Sequence, residues 1–357
     1  MKIGILTHHY INNFGAFLQA YALREAVADM FPNDEVQIIN CVNIKHFAIN
    51  TAGWFRFYKN RENFLSWIQK IKLPVLFYKA RKRDMVQSHL CFTAKGINKQ
   101  KYDCIIVGSD EVWNYKDSKS NSKIKFGIGL KCERLIAYAP SVGKSHLGEN
   151  TPPYVTEGIK KFSAISARDD LTEELVAGIT EKKITRVLDP TFLSEFQVVN
   201  KQVASKPYIL FYYCEHLPIK IKNQILAYAR DNGLAVYGAG ECDKEYSDIT
   251  VALSPFEWID MFRNAEFVFT GTFHGVVFSI LNKKPFKVFL TNASRIKKVH
   301  ALLQELGIKD RVIDKDFKFN LTQMKNEISY EDVYQIIDKK RIKSRDFLRH
   351  AIKNNED

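Results

Sequence analysis

The sequence predicts an α/β protein built from two Rossmann-like domains that face a cleft, and three observations support this fold class. The chain has 357 residues, and 46% of them are hydrophobic, which is enough to bury two cores of similar size. Apolar stretches of strand length alternate with helical patterns, as is typical of parallel strands joined by crossover helices. The alternation stops at a polar stretch near residue 203 and then begins again. We therefore predict one domain over residues 1–203 and a second over residues 204–357.

The elements of the first predicted domain follow this alternation. We predict strands over residues 2–7, 35–39, 104–107, 135–139, 164–167 and 186–188, and helices over residues 16–30, 157–162 and 171–177. An insertion near residues 44–95 departs from the pattern, because residues 54–83 interleave eight aromatic with nine basic side chains. Such a composition suits a membrane interface, a lipid-linked acceptor or a nucleic acid. The alternative is an insertion whose aromatic side chains pack on the first domain.

The second predicted domain repeats the alternation and ends in a long helix. We predict strands over residues 208–213, 235–237, 267–269 and 285–289, and helices over residues 219–230, 255–264 and 276–282. The C-terminal basic helix opens with a capping-box pattern at Ser329, and its basic face is either solvated or a site for an acidic partner. Two Rossmann-like domains that face a cleft form a GT-B-like arrangement.

Composition limits the class of protein further. The 53 Lys and Arg residues against 40 Asp and Glu give a net charge of +13, which favours acidic partners such as nucleotides, phosphorylated sugars, an anionic membrane surface or nucleic acid. The six cysteines form no C-x-x-C pair, and no H-E-x-x-H cluster appears, so we predict no disulfide framework and no metal. The N-terminal apolar run stops at His8, too early for a signal peptide or a membrane span. We expect a cytoplasmic protein, either free or peripheral at the inner membrane face.

Polar residues that follow two of the predicted strands are candidate contacts to an acceptor or to the wall of the cleft. After the first strand, Asn13 and Gly15 precede a helix whose amides could hold a phosphate or a sugar, or they make only a tight turn. After the strand over residues 104–107 come Ser109, Asp110 and Trp113. Ser109 could bind phosphate and Asp110 could act as a base, whereas the alternative is that both cap a helix.

Two charged residues at the ends of later strands are further candidates. Arg168 follows a strand and precedes a helix, where it could clamp a carboxylate or a phosphate with two hydrogen bonds. The alternative is an ion pair with Asp169 or Asp170. Asp189 ends another strand and either braces the turn between the domains or contacts the substrate.

The most informative segment is the strand, tight turn and helix around His274. The imidazole would lie at the N-terminus of a helix, beside the carboxyl end of a strand, where an anionic ligand is favoured. Thr272, Gly275 and Ser279 of the same segment are candidate residues for binding that anion. No G-x-G-x-x-G follows the first strand, which argues against a dehydrogenase.

Six motifs occur in the order that resembles the polysaccharide pyruvyl transferase family. They are Asn13-x-Gly15-Ala16-x-Leu18-Gln19, Gly108-Ser109-Asp110-x-x-Trp113, Ala137-Tyr138-Ala139-x-Ser141-x-Gly143, Ser166-x-Arg168, Asp189-Pro190-Thr191 and Phe273-His274-Gly275. The resemblance implies that pyruvate is transferred from phosphoenolpyruvate to two hydroxyls of a sugar, giving a ketal on a cell-surface glycan. It also implies that the donor lies in the cleft, that Arg168 binds its anionic groups and that His274 is the acid.

Many members of this family carry Arg two residues before the His, where this chain has Thr272. The missing charge could come from Lys283, Lys284, Arg295, Lys297 or Lys298. The expected partners are a small-molecule donor and a sugar or lipid-linked glycan acceptor, with peripheral membrane contact, no cofactor and no nucleic acid. Two alternatives remain: a GT-B glycosyltransferase that uses a nucleotide-sugar, and a non-catalytic protein that binds an anionic glycan or a membrane surface.

Overall fold

The computed structural model describes residues 1–60, 62–148, 150–199, 204–214, 217–240, 249–250, 252–291, 293–320 and 328–353. The chain forms two compact units. Unit 1 comprises Met1–Thr51, Arg81–Glu195 and Ile337–Asp357, and unit 2 comprises Ala52–Ala80 and Phe196–Ile336. The predicted domain boundary near residue 203 lies outside the described residues.

The described residues form strands and helices that alternate as the sequence predicts. The strands are β1 (Lys2–Leu6), β2 (Glu35–Ile38), β3 (Cys104–Asp110), β4 (Arg134–Pro140), β5 (Ala164–Ala167), β6 (Ile184–Arg186), β7 (Tyr208–Tyr212), β8 (Ala235–Gly238), β9 (Ile249–Thr250), β10 (Phe267–Thr270) and β11 (Phe286–Val288). The helices are α1 (Phe14–Met30), α2 (Ile44–Phe55), α3 (Phe64–Lys70), α4 (Leu73–Asp84), α5 (Ala94–Asn98), α6 (Pro153–Ile159), α7 (Asp170–Ala177), α8 (Ile219–Asp231), α9 (Pro255–Asn264), α10 (Phe273–Leu281), α11 (Ala293–Glu305) and α12 (Tyr330–Lys353).

Each unit contains one parallel sheet. The sheet of unit 1 has the strand order β2-β1-β3-β4-β5-β6, and that of unit 2 has the order β11-β10-β7-β8-β9. All the strand pairs are parallel. The predicted α/β class is therefore confirmed. Parallel strands need crossover connections, and in both units helices supply them.

The apolar runs of the strands are buried because both faces of each sheet are covered. In β3, Cys104 and Ile106 pack with Leu23 and Val27 of α1 on one face. On the other face, the alternate residues Ile105 and Val107 pack in a second cluster, which contains Trp113, Phe126 and Phe162. In unit 2, Ile209 and Phe211 of β7 pack with apolar residues of α8. Successive side chains of β3 point to opposite faces of the sheet, and both faces are buried. This explains why the sequence of β3 is continuously apolar.

The C-terminal helix differs from its predicted assignment to the second domain. Residues of α12 from Ile337 onward group with unit 1. The reason is its apolar stripe, because Leu348 and Ile352 are buried in the core cluster that contains Ile3 and Val27. The basic residues of this stretch also have partners in unit 1, such as Arg345, which contacts Asp29 and the carbonyl of Leu193.

The insertion also differs from its prediction as part of the first domain. Residues Ala52–Ala80 group with unit 2, and α3 contacts β9 of the second sheet. The alternative in which the aromatic side chains pack on the first domain is wrong for several of them. Phe55, Phe57, Tyr58, Phe64 and Tyr78 are exposed.

Candidate functional site

The carboxyl end of β3 carries the predicted residues Ser109 and Asp110. The preceding Gly108 has a φ of +144°, and a Cβ at this position would lie 1.8 Å from the carbonyl oxygen of Tyr138. Only glycine can therefore bring β3 this close to β4. Ser109 is buried, and its hydroxyl contacts the carbonyl of Ala139 at 3.2 Å rather than a helix amide.

Arg168 and Asp189 form a buried ion pair at the carboxyl edge of the first sheet. The side chains of Arg168 and Asp189 are 5% and 0% exposed. Arg168 Nη1 contacts Asp189 Oδ2 and also donates to Ser109 Oγ at 3.0 Å. The other Asp189 oxygen accepts hydrogen bonds from the amide and the hydroxyl of Thr191, at 3.0 and 2.7 Å. Asp189 therefore fixes the position of Arg168.

The electrostatic environment keeps Arg168 cationic. Burial lowers its pKa, but the carboxylates of Asp189, Asp110 and Asp169 outweigh burial, so that the pKa is raised overall. Asp110 Oδ1 lies 4.0 Å from Arg168 Nη2, and its side chain is 20% exposed. The sequence singled out Ser109, Asp110 and Asp189 at this edge. Of their side chains, the carboxylate of Asp110 is the most accessible.

The predicted alternative of an ion pair between Arg168 and one of the next two residues is wrong. Asp169 caps α7, since its Oδ1 accepts from the amide of Thr172 at 2.9 Å. Asp170 pairs with Arg186 at 2.8 Å. The partner of Arg168 is instead Asp189, which follows the neighbouring strand β6 and caps a short 3-10 helix.

Trp113, Asn13 and Gly15 have structural positions. Trp113 is fully buried, and its indole Nε1 donates to the carbonyl of Lys125 at 2.8 Å, so the prediction that it contacts an acceptor or lines a cleft is wrong. Asn13 caps α1, because its Oδ1 accepts from the amide of Ala16 at 3.0 Å. Gly15 is buried in the first turn of α1. Asn13 therefore caps the helix and Gly15 lies within it, whereas residues 7–13 connect β1 to α1, which is longer than the tight turn of the alternative.

In unit 2, the turn that carries His274 is held by close packing. A Cβ on Gly271 would lie 2.1 Å from the carbonyl oxygen of Tyr213, and one on Gly275 would lie 1.9 Å from Thr270 Oγ1. Both positions therefore require glycine for the backbone to turn from β10 into α10. His274 is half-buried and is the second residue of α10.

The other residues predicted to bind an anion here use their polar groups inside the helix. Thr272 is the N-cap of α10, and its Oγ1 accepts from the amide of Gly275 at 3.0 Å. Ser279 is fully buried, and its hydroxyl donates to the carbonyl of Gly275 at 2.7 Å. His274 thus lies at a well-capped helix N-terminus, where the helix dipole favours negative charge.

Lys283 and Lys284, two of the predicted sources of charge, lie at the wrong end of α10. They follow its last turn, about 13 Å from His274 at about 1.5 Å per residue. Lys283 Nζ lies 4.8 Å from the ring centroid of Tyr334. Lys283 also lines a 690 Å³ cavity together with Glu266, which directly precedes β10. These lysines therefore cannot replace a cation beside His274.

The three remaining sources of charge are in α11. This helix follows β11, which is parallel to β10, so α11 begins at the same sheet edge as His274. Arg295 is in its first turn, whereas Lys297 and Lys298 are further along. Lys297 is exposed and Lys298 is buried.

Sequence reasoning missed two residues that the structure brings beside the turn after β1, Lys125 and His46. Lys125 Nζ lies 2.5 Å from His8 Nδ1, and the rings of His8 and His46 are 5.1 Å apart. Their positions in a short 3-10 helix and in α2 give no sequence signal of this kind. Within the described part of the chain, His, Cys, Asp and Glu nowhere form a group of three that could hold a metal ion.

A cation fixed by carboxylates and an imidazole at a helix N-terminus, each at the carboxyl edge of a parallel sheet, are features of α/β enzymes that act on anionic substrates. The model of the polysaccharide pyruvyl transferase family matches residues 13–292. The chain belongs to this family, and it is therefore a transferase of the kind that modifies polysaccharides. A search of curated proteins found no match.

Solved structures with similar folds include a heptosyltransferase, a UDP-GlcNAc 2-epimerase and a glycotransferase. The heptosyltransferase WaaC of E. coli with ADP has 12% identity and a TM-score of 0.43, covering 95% of this chain and 100% of its own. The UDP-GlcNAc 2-epimerase of Methanocaldococcus jannaschii has 14% identity and a TM-score of 0.47, covering 99% and 100%. The glycotransferase of kitacinnamycin has 11% identity and a TM-score of 0.48, covering 98% of both chains. At these values the similarities assign no function.

Proposed function

We propose that the protein transfers a pyruvyl group from phosphoenolpyruvate to two hydroxyls of a sugar in a cell-surface polysaccharide or its precursor, forming a ketal. The observation that carries the proposal is the family match over residues 13–292, which includes His274 at the N-terminus of α10. The buried cation Arg168 falls within the same match.

In the proposed reaction, His274 is the acid that protonates the methylene carbon of the donor. Protonation makes the neighbouring carbon electrophilic, so that the first sugar hydroxyl adds there and loses its proton. The bond from this carbon to the phosphate oxygen then breaks, and the second hydroxyl adds to the same carbon. One of the two hydroxyl protons restores the protonated state of His274, which gave its proton to the new methyl group. The other hydroxyl proton leaves with phosphate.

Arg168 is proposed to bind an anionic group of the donor. Its ion pair with Asp189 holds the guanidinium in one orientation, and a guanidinium has five N–H donors, more than this pair uses. Asp110, whose carboxylate is partly exposed, is proposed to accept the proton of an acceptor hydroxyl.

Arg295 is proposed to supply the positive charge that family members carry at the position of Thr272. Its place in the first turn of α11, at the same sheet edge as His274, supports this choice over Lys283. Replacing Arg295 by Met should raise the KM for phosphoenolpyruvate about tenfold or more, as expected for loss of a charged hydrogen bond. Lys283→Met is the matched control and should leave the KM unchanged. An equal effect of both substitutions would refute the assignment.

The proposed activity is tested by incubating the purified protein with phosphoenolpyruvate and a panel of glycan acceptors while phosphate release is followed. In deuterated water, each ketal methyl group should contain one solvent-derived deuterium. His274→Ala should abolish turnover, whereas His300→Ala, a change at an exposed histidine of α11, should not. Failure of every acceptor to stimulate phosphate release would count against the proposal. Thermal stabilisation by UDP- or GDP-sugars and none by phosphoenolpyruvate would favour a glycosyltransferase instead.

We further propose that residues 52–80 contact an anionic membrane surface that holds a lipid-linked acceptor. Phe64 and Leu65 of α3 are 65% and 75% exposed, and basic residues such as Lys72 and Lys79 are exposed nearby in sequence. Exposed aromatic and basic side chains together favour the interface of an anionic bilayer. Within the described residues, no helix combines the length and apolar composition needed to cross a bilayer.

Co-sedimentation with vesicles of phosphatidylglycerol and phosphatidylcholine tests this contact. Binding should weaken at high salt and should fall when Phe64 and Leu65 are replaced by Ser. Ile342→Ser, at a position of α12 that is 62% exposed, is the control and should bind like the unmodified protein. Equal binding of all three proteins, or none of the unmodified protein, would exclude the contact.

A further inference from the structure

A group of basic and aromatic side chains surrounds Lys125 in unit 1. Lys125 Nζ donates to His8 Nδ1 at 2.5 Å, and His8 Nε2 lies 3.4 Å from the carbonyl oxygen of Glu111. Lys125 Nζ also lies 5.5 Å from the ring centroid of Tyr10. The Tyr10 hydroxyl lies within hydrogen-bond distance of His46 Nδ1, at 3.3 Å. These contacts join the turn after β1, α2 and the 3-10 helix that contains Lys125.

The charge at the centre of this group is set by Lys125, which is positive when protonated and neutral when it is not. Lys125 is 3% exposed, and no Asp or Glu oxygen of the described residues lies within 4.0 Å of its ammonium group. Burial lowers its pKa to about 7, and the attraction of the Asp110 carboxylate offsets burial only in part. Burial and the charge of Lys125 also lower the pKa values of His8 and His46. A buried ammonium without a carboxylate partner is unusual, because burying an unpaired charge is costly.

The same Lys125 lines a cavity of 280 Å³ in unit 1. Its walls combine apolar, aromatic, amide, hydroxyl and basic groups, among them Tyr10, Val42, Asn43, Phe92 and Lys125. Pockets for drug-sized ligands occupy roughly 300–1,000 Å³, so this cavity suits a ligand of monosaccharide size. Aromatic rings can pack against the C–H face of a sugar ring, and amide and hydroxyl groups can pair with its hydroxyls.

We propose that this cavity is a binding site for a monosaccharide-sized ligand with one anionic group, a carboxylate or a phosphate, which becomes the counter-ion of Lys125. Tyr10 and Phe92 would hold the ring of the sugar, and Asn43 would bind its hydroxyls. None of the residues that line this cavity is assigned a role in the proposed pyruvyl transfer, although the carboxylate of Asp110, the proposed base, also attracts Lys125.

Binding should be coupled to uptake of a proton. An anion beside Lys125 favours the charged ammonium, so that Lys125 is more fully protonated in the complex than in the free protein above about pH 7. The groups that face it are His8, Tyr10, His46, Asp110 and Cys41, and of these only the two histidines could take up a proton as well. Affinity should therefore fall as the pH rises from about 7 to about 9.

Calorimetric titration of the full-length protein with glucuronate and with glucose 6-phosphate tests the proposal, with glucose as the uncharged ligand of similar size. At least one anionic sugar should bind more tightly than glucose, and the apparent enthalpy should change with the ionisation enthalpy of the buffer. Binding of only one of the two identifies whether the site takes a carboxylate or a phosphate. No binding of either at millimolar concentrations, or equal binding of glucose, would overturn the proposal.

Two variants in the cavity and one control variant test whether the ligand binds there. Lys125→Met should weaken binding of the anionic sugar about 10- to 100-fold, as for loss of a charged hydrogen bond. Val42→Phe, which fills the cavity without changing its charge, should also weaken binding. Lys131→Met, at an exposed position before β4, should have no effect. Unchanged binding by both cavity variants would place the ligand elsewhere and refute the site.

Discussion

Replacement of Lys125 by Met should stabilise unit 1, although it removes a hydrogen-bonded side chain. Lowering the pKa of a buried lysine from 10.5 to about 7 costs the folded state about 5 kcal/mol at low pH. Met has a similar length and no charge, so this cost disappears. The lost hydrogen bond to His8 is worth at most about 3 kcal/mol. At pH 7 the folded lysine is half deprotonated and the cost is about 4 kcal/mol, so the net gain in the free energy of unfolding there is at least about 1 kcal/mol.

The gain in stability from Lys125→Met should fall as the pH rises. Between about pH 7 and about pH 10, the unfolded chain holds the proton of Lys125 and the folded chain has released it. The unfolded state thus binds more protons, and the stability contributed through Lys125 rises with pH. Relative to Lys125→Met, the unmodified protein should gain about 4 kcal/mol over this interval, so that the order of stability reverses. His8 and His46 contribute little there, because both are neutral in the folded and the unfolded states.

Hydrogen exchange of the amides in β3 and β4 measures this free energy for unit 1 alone, since both strands lie in its core. Lys131→Met is the control and should change the free energy by less than about 0.5 kcal/mol at either pH. If Lys125→Met were destabilised near pH 7 by an amount that did not change with pH, Lys125 would be a structural cation with a stable partner. The argument for an anion site would then fail.

Three other substitutions test the two sheet edges. Asp189→Asn should lower the free energy of unfolding by about 3–5 kcal/mol, because it leaves Arg168 buried without its carboxylate. Denaturant titration measures the loss, and a change below about 1 kcal/mol would contradict the ion pair. Gly275→Ala should destabilise by about 1–3 kcal/mol through the clash with Thr270 Oγ1, and Thr270→Ala should recover part of this in a double-mutant cycle. Thr272→Arg should cost about 1 kcal/mol through loss of the N-cap. In the Arg295→Met background it should lower the KM for phosphoenolpyruvate, and an unchanged KM there would contradict the proposed role of Arg295.

The sequence predicts the two parallel sheets well because their strands are buried on both faces. The continuous apolar run that predicted a strand over residues 104–107 corresponds to β3, and the run over residues 267–269 corresponds to β10. Short strands at the sheet edge are less well defined, and the strand predicted over residues 186–188 ends at Arg186 in the structure. Its apolar residues Val187 and Leu188 are buried without continuing the strand.

The candidate site was predicted in part because strand ends in a parallel sheet meet at one edge. That rule selected Ser109, Arg168 and Asp189, which the structure joins by hydrogen bonds. It did not pair Arg168 with Asp189, because the sequence indicates ion pairs only between neighbours along the chain. Trp113 was misassigned for a related reason, since a residue that follows a strand end can turn back into the core.

Arg168 and Lys125, two buried cations of unit 1, differ in their carboxylate partners. Arg168 was recognised from the sequence because it follows a strand, whereas Lys125 lies in a short 3-10 helix that gives no such signal. Arg168 lies at a strand end among carboxylates, and its pKa is raised, so that an added anion must share the guanidinium with Asp189. Lys125 has a lowered pKa and no carboxylate within ion-pair distance among the described residues. An anion beside Lys125 provides a counter-ion for an ammonium group that is otherwise buried without one, whereas Arg168 already has Asp189. The anion therefore gains more electrostatic free energy beside Lys125. If both sites bind anions, the affinity of the Lys125 site should be the more sensitive to pH, and this distinguishes the two sites by titration alone.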